Sequence, residues 1–369
     1  MEQSLFIQWI KKYFPAITVS IVEKLNDRSN TTELPYLHRT MLRPAYSVTG
    51  KWEALTILNS LVAADVVSMD SSLPLKKRPT VRRASGDIPK MGMQLKLNET
   101  QLTELNTLIS QAGAGNSQII NNQIITRIFE DVPRVIRGIY ERNEFMFLQG
   151  LSTGVTSVID SENVGTEVRL DFGYLNENKF GVAALWDNPD TATPLDDIQA
   201  VLEKATNDGV TVVRVLIDRV TKNKLLKTRQ VRELYAFGLN FVGANIPTPS
   251  LAQLNPTIQS HYGFVFEEVN RSVRVEKNGV QTSIKPWQEG MLIFLTTNDY
   301  VGSLAWATLA EQAFPAQGVE YQTVDDYILV SMYRKPDPIG EFTSSQSRCV
   351  PVISGVENIY SLNSKEVTA

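Results

Sequence analysis

The feature that most constrains this chain is a long stretch of helical periodicity, Ile119–Gly150. Its apolar residues recur at steps of three and four and therefore form one stripe along a helix. They are Ile120, Ile124, Ile128, Val132, Ile136, Ile139 and Tyr140. At about 1.5 Å per residue, such a helix extends about 45 Å. It is too long to be one of several helices around a compact core, and it predicts a molecule organised around one rod.

The expected limits of this helix follow from its capping residues. Asn116 or Ser117 can cap the start, and Gly150 marks the end. Pro133 conflicts with a continuous helix, because it lacks a backbone N–H and its ring clashes with the carbonyl of Phe129. We therefore expect a kink or a break at Pro133.

The composition excludes several classes of protein. The chain has 369 residues, 43% of them hydrophobic, which predicts two folded domains or one domain with large extensions. A formal net charge of −4 argues against general adhesion to nucleic acid or anionic membrane. The single cysteine, Cys349, excludes a disulfide framework and a cysteine-rich zinc site. Lys11, Lys12 and Glu23 interrupt the N-terminal apolar residues, so we expect no membrane span and no standard secretion.

The N-terminal part mixes short helical patterns with extended segments. Met1–Tyr13 predicts a short helix that stops at Pro15, and Ile17–Val22 predicts a strand. Residues 35–49 contain prolines and no period, which indicates an extended segment. Lys51–Ala64 predicts a helix, although its β-branched residues disfavour one.

The segment Asp70–Lys96 differs from the rest of the chain in charge. Its seven basic and two acidic residues give +5, which leaves −9 for the remainder of a chain with net charge −4. Val81–Ser85 and Met91–Leu97 predict two strands of an extended basic hairpin that turns near Gly86-Asp87. Because an isolated two-stranded ribbon is marginal in water, we expect it to lie on another copy of the protein.

Beyond this segment the sequence predicts alternating helices and strands. Asn98 and Thr193 start two of the helices, and Asn278-Gly279 marks a hairpin turn. The α-β-α-β order from Thr193 onward indicates a separate α/β domain. The predicted helices are Asn98–Ala112, Thr193–Gly209 and Arg219–Phe237; the strands are Val155–Ile159, Glu167–Phe172, Phe180–Leu185, Val210–Ile217, Met291–Thr296 and Tyr327–Tyr333; Val273–Ile284 is the hairpin, Pro247–Pro256 a loop, and Lys335–Leu362 an extended return to the first domain.

One motif imitates a hydrolase. Gly150–Gly154 matches G-x-S-x-G, in which Ser152 would be a nucleophile on a turn from strand to helix. Here a helix precedes the serine and a strand follows it, so a helix C-terminal turn is the better interpretation. The two histidines, His38 and His261, lie in loop-like sequence, and we interpret both as ordinary surface or packing residues.

Three other patterns give no active site. Gln111–Gly115 is glycine-rich but lacks the Lys-Ser/Thr pair and the preceding strand of a phosphate loop. Asp196-Asp197 fits a helix start and Asp325-Asp326 a solvated turn, each better than a metal site. The basic hairpin lacks interleaved aromatic residues, which favours self-assembly over nucleic-acid binding. No catalytic, cofactor-binding or metal-binding residue is predicted.

Several stretches share their spacing of strands, prolines and glycines with a known family. They are Asp160–Leu185, Trp186–Ile198, Arg271–Gly290, Leu292–Gly302, Ser331–Pro338, Ser344–Pro351 and Ile359-Tyr360. Together they resemble the major capsid proteins of tailed double-stranded-DNA bacteriophages, in particular the lambda-like capsid protein E group. The resemblance extends over most of the chain from about Ala64 onward.

This resemblance implies an α+β fold of the Hong Kong ninety-seven type. The parts it implies are an N-terminal arm with its first helix (1–64), an E-loop (65–97), a peripheral domain (98–192) with the spine helix (119–150), an axial domain (193–317) and a return to the peripheral domain (318–369). It further implies a structural protein, without enzymatic activity or cofactor, that self-assembles into hexamers and pentamers of an icosahedral shell around packaged double-stranded DNA.

The resemblance also implies partners. Because the chain has no room for the N-terminal scaffolding extension of some members, either a separate scaffolding protein or none at all is implied, and a portal and a decoration protein are further implied partners. The shell would hold DNA on its inner surface without sequence specificity, and the subunit would be made in the bacterial host cytoplasm before joining the virion capsid. The candidate inter-subunit contacts are Lys76, Lys77, Arg78, Arg82, Arg83 and Lys90.

Three other functions stay open at this point. An encapsulin-like bacterial compartment would have the same fold and an enzyme cargo. A serine hydrolase would use Ser152, and a DNA-binding module would use the basic hairpin.

Overall fold

The computed structural model describes residues 1–26, 35–58, 80–114, 118–158, 168–239, 246–277, 279–337 and 339–368. Its helices are α1 (Ile7–Asn26), α2 (Leu37–Met41), α3 (Glu99–Ala114), α4 (Gln118–Phe129), α5 (Asp131–Thr153), α6 (Pro194–Asn207), α7 (Arg219–Lys227), α8 (Arg229–Gly238), α9 (Leu251–Tyr262) and α10 (Ala310–Ala313). Among the described residues, no helix combines the length and the apolar character needed to cross a bilayer.

The strands are distributed along the whole chain. They are β1 (Leu42–Tyr46), β2 (Lys51–Leu58), β3 (Thr80–Asp87), β4 (Lys90–Leu97), β5 (Val155–Val158), β6 (Val168–Asp171), β7 (Lys179–Val182), β8 (Arg214–Asp218), β9 (Val265–Val269), β10 (Val273–Lys277), β11 (Val280–Ile284), β12 (Met291–Leu295), β13 (Gly302–Trp306), β14 (Glu320–Val324), β15 (Ile328–Pro336), β16 (Ile339–Ile353) and β17 (Ile359–Val367).

Two larger sheets carry the two hydrophobic cores of the described residues. A six-stranded sheet has the order β1-β13-β16-β15-β14, with β4 also paired to β16, and a five-stranded sheet has the order β7-β17-β12-β8-β9. The first core packs the six-stranded sheet against the helices α1, α3, α4 and α5, and it reaches one face of the five-stranded sheet. The second core joins the five-stranded sheet to α6, α7, α8 and α9. Three two-stranded ribbons, β2–β3, β5–β6 and β10–β11, complete the strand pairing.

The predicted rod is present but is divided into α4 and α5 at Glu130. The break comes three residues before Pro133, which is the third residue of α5. The first four N–H groups of a helix have no partner within it, so the missing N–H of a proline costs little there. The predicted end is also wrong, because α5 continues to Thr153 and Gly154 caps it with a φ of 78°. Gly150 is instead a packing position, where a Cβ would lie 2.6 Å from the ring of Phe172.

The N-terminal predictions are wrong in two places. Helix α1 continues through Pro15, and the expected strand Ile17–Val22 lies inside that helix. A buried stripe of Phe6, Ile10 and Phe14 holds the helix on the first core. Burial of this stripe outweighs the local cost of the proline, because tertiary packing supplies most helix stability in proteins.

The segment around the predicted hairpin also differs from expectation. Lys51–Leu58 forms strand β2 instead of a helix. The two basic strands exist as β3 and β4, but they do not pair with each other. Strand β3 pairs with β2, and β4 pairs with β16. The partner of β3 lies in a segment predicted as a helix, and the partner of β4 lies more than 240 residues further along the chain. Local periodicity reveals neither pairing.

The C-terminal half follows the predictions more closely. Helix α6 has Pro194 at its first turn, and the β10–β11 hairpin is confirmed, with Gly279 at a φ of 74°. The basic helix is divided into α7 and α8 at Thr228. The expected loop contains the start of α9, where the Ser250 hydroxyl caps the helix and the Gln253 side chain returns to the Ser250 N–H at 2.9 Å.

Candidate inter-subunit surfaces

The β2–β3 ribbon carries two of the six predicted contact residues, Arg82 and Arg83. The two strands are antiparallel, in register from Lys51 opposite Asp87 to Leu58 opposite Thr80. Among the described residues, neither strand joins a larger sheet. A two-stranded ribbon of this kind gains little stability of its own in water.

The six candidate contact residues fall into three groups by their position in the chain. Lys76, Lys77 and Arg78 lie outside the described residues, in the segment between β2 and β3. Arg82 and Arg83 lie in β3, opposite Thr56 and Leu55 of β2. Lys90 is the first residue of β4, and its Nζ lies 3.6 Å from a carboxylate oxygen of Glu311. The Lys90 side chain is 57% exposed, so this ion pair adds little stability.

A buried tryptophan anchors the ribbon to the body. The Trp52 side chain is only 4% exposed and lies against its cross-strand partner Gly86, where a Cβ would be 2.8 Å from the Trp52 Nε1. Ile88, just after β3, is also buried. The ribbon therefore leaves the body from a fixed base.

The strand that continues from the ribbon lies on the rod. Side chains at alternate positions of β4, including Met91 and Met93, are half-buried against α5. On the neighbouring strand β16, the Ser345 hydroxyl donates to the Val135 carbonyl of α5 at 2.7 Å. The sheet and the rod are thus joined by both packing and a buried hydrogen bond.

An open groove of about 860 Å³ runs between β4, α5 and the β10–β11 hairpin. Four arginines line its wall together with apolar side chains, and these arginines are Arg134, Arg137, Arg142 and Arg274. Every side chain of β11 is exposed beside this groove, including Val280 and Ile284. Apolar side chains exposed on a two-stranded hairpin mark a second surface suited to contact with other protein.

Two acids on α5 tie the N-terminal segment to the rod. The Glu141 carboxylate accepts from the Tyr36 hydroxyl at 2.9 Å and from the Arg271 guanidinium at 2.5 Å. The guanidinium also lies over the Tyr36 ring, 4.0 Å from its centroid. Burial and the neighbouring Glu141 carboxylate raise the pKa of Tyr36, which keeps its proton for this bond.

The second acid, Glu144, is completely buried and holds α2. Its carboxylate accepts from the backbone N–H groups of Leu37 and His38, both at 3.0 Å. It also lies 2.7 Å from the His38 Nδ1. A carboxylate only accepts hydrogen bonds, so this imidazole nitrogen donates. His38 is therefore a buried, paired residue of a helix, and its loop-like interpretation was wrong. The available signal was Glu144 itself, an acid four residues after Tyr140 on the apolar stripe.

Ser152 has a structural role. It is buried, its hydroxyl donates to the Gln149 carbonyl at 3.2 Å and accepts from the Gln288 N–H at 3.1 Å. Among the described residues, neither histidine is a hydrogen-bond partner of this hydroxyl. The serine sits in the last turn of α5 before Gly154, as the helix-end interpretation predicted.

The paired acids are also structural. Asp197 is buried in the first turn of α6, where its carboxylate accepts from the Ala183 N–H at 2.9 Å and the Trp186 Nε1 at 2.8 Å. Asp325 accepts from the Tyr140 hydroxyl at 2.6 Å and pairs with Arg39 at 2.8 Å, so it is less solvated than predicted. Within the described ranges, no group of histidine, cysteine and acidic residues is arranged to hold a metal ion.

A long helix packed on a mixed sheet, a second α/β body and a separate two-stranded ribbon define a capsid fold of the Hong Kong ninety-seven type. A scan against protein families matches residues 35–363 to phage major capsid protein E. Because this match spans well over half of the sequence, the chain belongs to that family. It is a structural subunit of a phage capsid and not an enzyme.

A solved prophage structure agrees on the fold. The chain is similar to a protein assigned as a capsid protein of an E. coli CFT073 prophage, with a TM-score of 0.57, 12% identity and coverage of 95% of this chain and 98% of that one. The mature capsid of bacteriophage PhiM1 gives a TM-score of 0.49 and 6% identity, with coverage of 92% of this chain and 90% of that one. The cyanophage A-1(L) capsid gives a TM-score of 0.46 and 12% identity, with coverage of 92% of this chain and 95% of that one. No curated protein sequence matches at a significant level.

Proposed function

We propose that copies of this chain assemble into the hexamers and pentamers of an icosahedral shell that encloses packaged double-stranded DNA. The observation that carries the proposal is the β2–β3 ribbon, which pairs only with itself among the described residues. In a shell, a neighbouring subunit would cover it. Membership of the phage major capsid protein E family favours this function over an encapsulin-like compartment.

The contact we propose is electrostatic. Lys76, Lys77, Arg78, Arg82, Arg83 and Lys90 would lie across an acidic surface of a neighbouring subunit. The remainder of the chain carries −9 against the +5 of Asp70–Lys96, which supplies the opposite charge. Exposed ion pairs weaken with ionic strength, so assembly through this contact would be sensitive to salt.

The domain division remains a proposal, with one refinement from the strand pairing. We keep 65–97 as the E-loop, 98–192 as the peripheral domain and 193–317 as the axial domain. Strands β7 and β17 share the five-stranded sheet with β8, β9 and β12, which favours placing them with the axial domain. Strand β13 pairs with β16 and β1, which favours placing it with the peripheral domain.

The remaining partners are proposed from the family. They are a separate scaffolding protein, a portal, a decoration protein and DNA bound without sequence specificity on the inner surface. The subunit would be made in the bacterial host cytoplasm and then reside in the virion capsid.

Electron microscopy of the expressed protein tests the shell directly, with closed particles as the expected result. The double variant Arg82→Glu and Arg83→Glu should prevent closed particles while the unassembled subunit keeps its circular dichroism spectrum. A matched control reverses two exposed lysines outside the loop, Lys179→Glu and Lys227→Glu, with the same change of net charge. Normal particles from the arginine variant, or equal loss of particles from both variants, would contradict the proposed contact.

A further inference from the structure

The two arms of the β2–β3 ribbon meet at one guanidinium. Gly50 precedes β2 and Ile88 follows β3, and the Ile88 N–H donates to the Gly50 carbonyl at 3.0 Å. Arg348, on β16, donates from Nε to the Ile88 carbonyl at 3.2 Å and from a terminal nitrogen to the Gly50 carbonyl at 3.3 Å. One side chain of the sheet therefore binds the backbone of both arms.

Position 50 requires glycine for two reasons, its backbone conformation and the closeness of the Arg348 guanidinium. Its φ of +70° belongs to the left-handed region that favours glycine. A Cβ at this position would lie 2.5 Å from a terminal nitrogen of Arg348 and 2.8 Å from its central carbon. The close approach of the arginine is thus a second, independent reason for a residue without a side chain. Among the described residues, Arg348 has no carboxylate partner, and the carbonyls of Ile88 and Gly50 are the acceptors of its side-chain hydrogen bonds.

The element that carries Arg348 is rigidly held. Strand β16 pairs with β15 on one side and with β4 and then β13 on the other. In contrast, β2 and β3 pair only with each other in the part of the chain that the structure describes. The planar fork of an arginine fixes the direction of its hydrogen bonds more closely than a single ammonium group does.

We propose that Arg348 is a positioning residue that fixes the direction in which the β2–β3 ribbon leaves the subunit, and that this direction decides whether neighbouring subunits close into a shell. The second half rests on the proposed function. An arm of eight residues extends about 26 Å, so a tilt of about 10° at its base moves the far end by about 4 to 5 Å. Hydrogen-bonded contacts tolerate shifts of only about 0.5 Å, so such a tilt would break contacts with a neighbour.

The first half is tested by the distance between two nitroxide labels on unassembled full-length subunits. Thr56→Cys places a label toward the far end of β2, where a tilt at the base moves it most, and Thr323→Cys places one on the exposed side of β14 in the six-stranded sheet. Electron paramagnetic resonance should give a narrow distance distribution in the parent and a clearly broader one with Arg348→Met. Arg348→Lys should be intermediate, because one ammonium group cannot satisfy both carbonyls with fork geometry. Gly50→Ala should also broaden it, because the new Cβ displaces the guanidinium.

The matched control is Arg334→Met on the adjacent strand β15, which should leave the distribution narrow. The melting temperature of each variant shows that its fold is intact. An unchanged distribution in Arg348→Met would overturn the clamp.

The second half is tested by electron microscopy of the same variants without labels. Malformed or open assemblies from Arg348→Met, with normal shells from Arg334→Met, are expected. Normal shells despite a broadened distribution would overturn the positioning role. A parent protein that forms no closed particles would instead overturn the shell function, and the label distances would still decide on the clamp.

Discussion

The thioether of Met93 occupies the notch that Gly138 leaves in α5. A Cβ at Gly138 would overlap the Met93 sulfur atom. Glycine in a helix interior costs about 1 kcal/mol relative to alanine, so the close packing of β4 on the rod offsets a local loss. The strand that continues from the ribbon is thereby seated on the rod at one defined register.

In Gly138→Ala the Met93 side chain must move aside, so the variant should gain less than the stabilisation of about 1 kcal/mol that alanine brings to a helix interior. Met93→Ala removes the side chain that the new methyl group meets, and the double variant should lose less stability than the sum of the two single variants. Denaturant unfolding of unassembled subunits measures all four free energies of unfolding, and strict additivity would show that the contact has no energetic role.

Glu144→Ala should be among the most destabilising single changes near the N-terminal segment. It leaves two backbone N–H groups of α2 and the His38 imidazole without an acceptor in a buried site. Breaking a buried pair in this way costs about 3 to 5 kcal/mol. Glu104→Ala, an exposed acid of α3, should change the free energy of unfolding by less than about 0.5 kcal/mol. Similar values for the two variants would contradict the role of Glu144.

The free energy of unfolding should decrease as the pH rises from about 9 to about 11. Burial raises the pKa of the Cys349 thiol from its ordinary value of 9.0 to about 11, and burial likewise raises the pKa of Tyr140 and Tyr360. In this window the unfolded chain loses protons that the folded chain keeps, so stability falls with pH. Urea unfolding at several pH values measures the slope, and Cys349→Ala should reduce it. A flat profile would contradict the buried, protonated thiol.

Ser152→Ala should affect stability and not catalysis. The variant removes an acceptor for the Gln288 N–H, which costs about 0.5 to 1.5 kcal/mol. Neither the parent nor the variant should hydrolyse a nitrophenyl ester above the rate of buffer. An activity present in the parent and lost in the variant would revive the hydrolase hypothesis.

Sequence periodicity predicted the elements whose signals are local. The cap of Asn98, the proline start of α6 and the β10–β11 hairpin around Gly279 each depend on residues close in the sequence, and each prediction is confirmed. The start of α9 had such a signal too, because Ser250 and Gln253 form a capping box. That prediction failed through its emphasis on Pro247 and Pro256.

Other features depend on partners far along the chain. Strand β2 has the composition of a weak helix and becomes a strand because β3 pairs with it across residues 59–79. The Arg348 contact joins residues separated by 260 and 298 positions, and no spacing rule connects them. The rod breaks at Glu130, three residues before the predicted position at Pro133. A proline shows that a helix is perturbed nearby, but it does not fix the residue at which the helix ends.

Strand β17 lies between β7 and β12 in the five-stranded sheet, although it follows both in the sequence. All five residues of β12 are buried in the finished sheet. During translation, however, one edge of that apolar strand stays without its partner until the next 72 residues (296–367) have been added. At about 5 to 20 residues per second, this interval is about 4 to 14 s. A growing chain therefore exposes the unpaired edge of β12 until β17 pairs with it. Because ribosomes spaced closely on one messenger RNA bring several such edges together, the chains could pair with each other and misassemble before any shell forms.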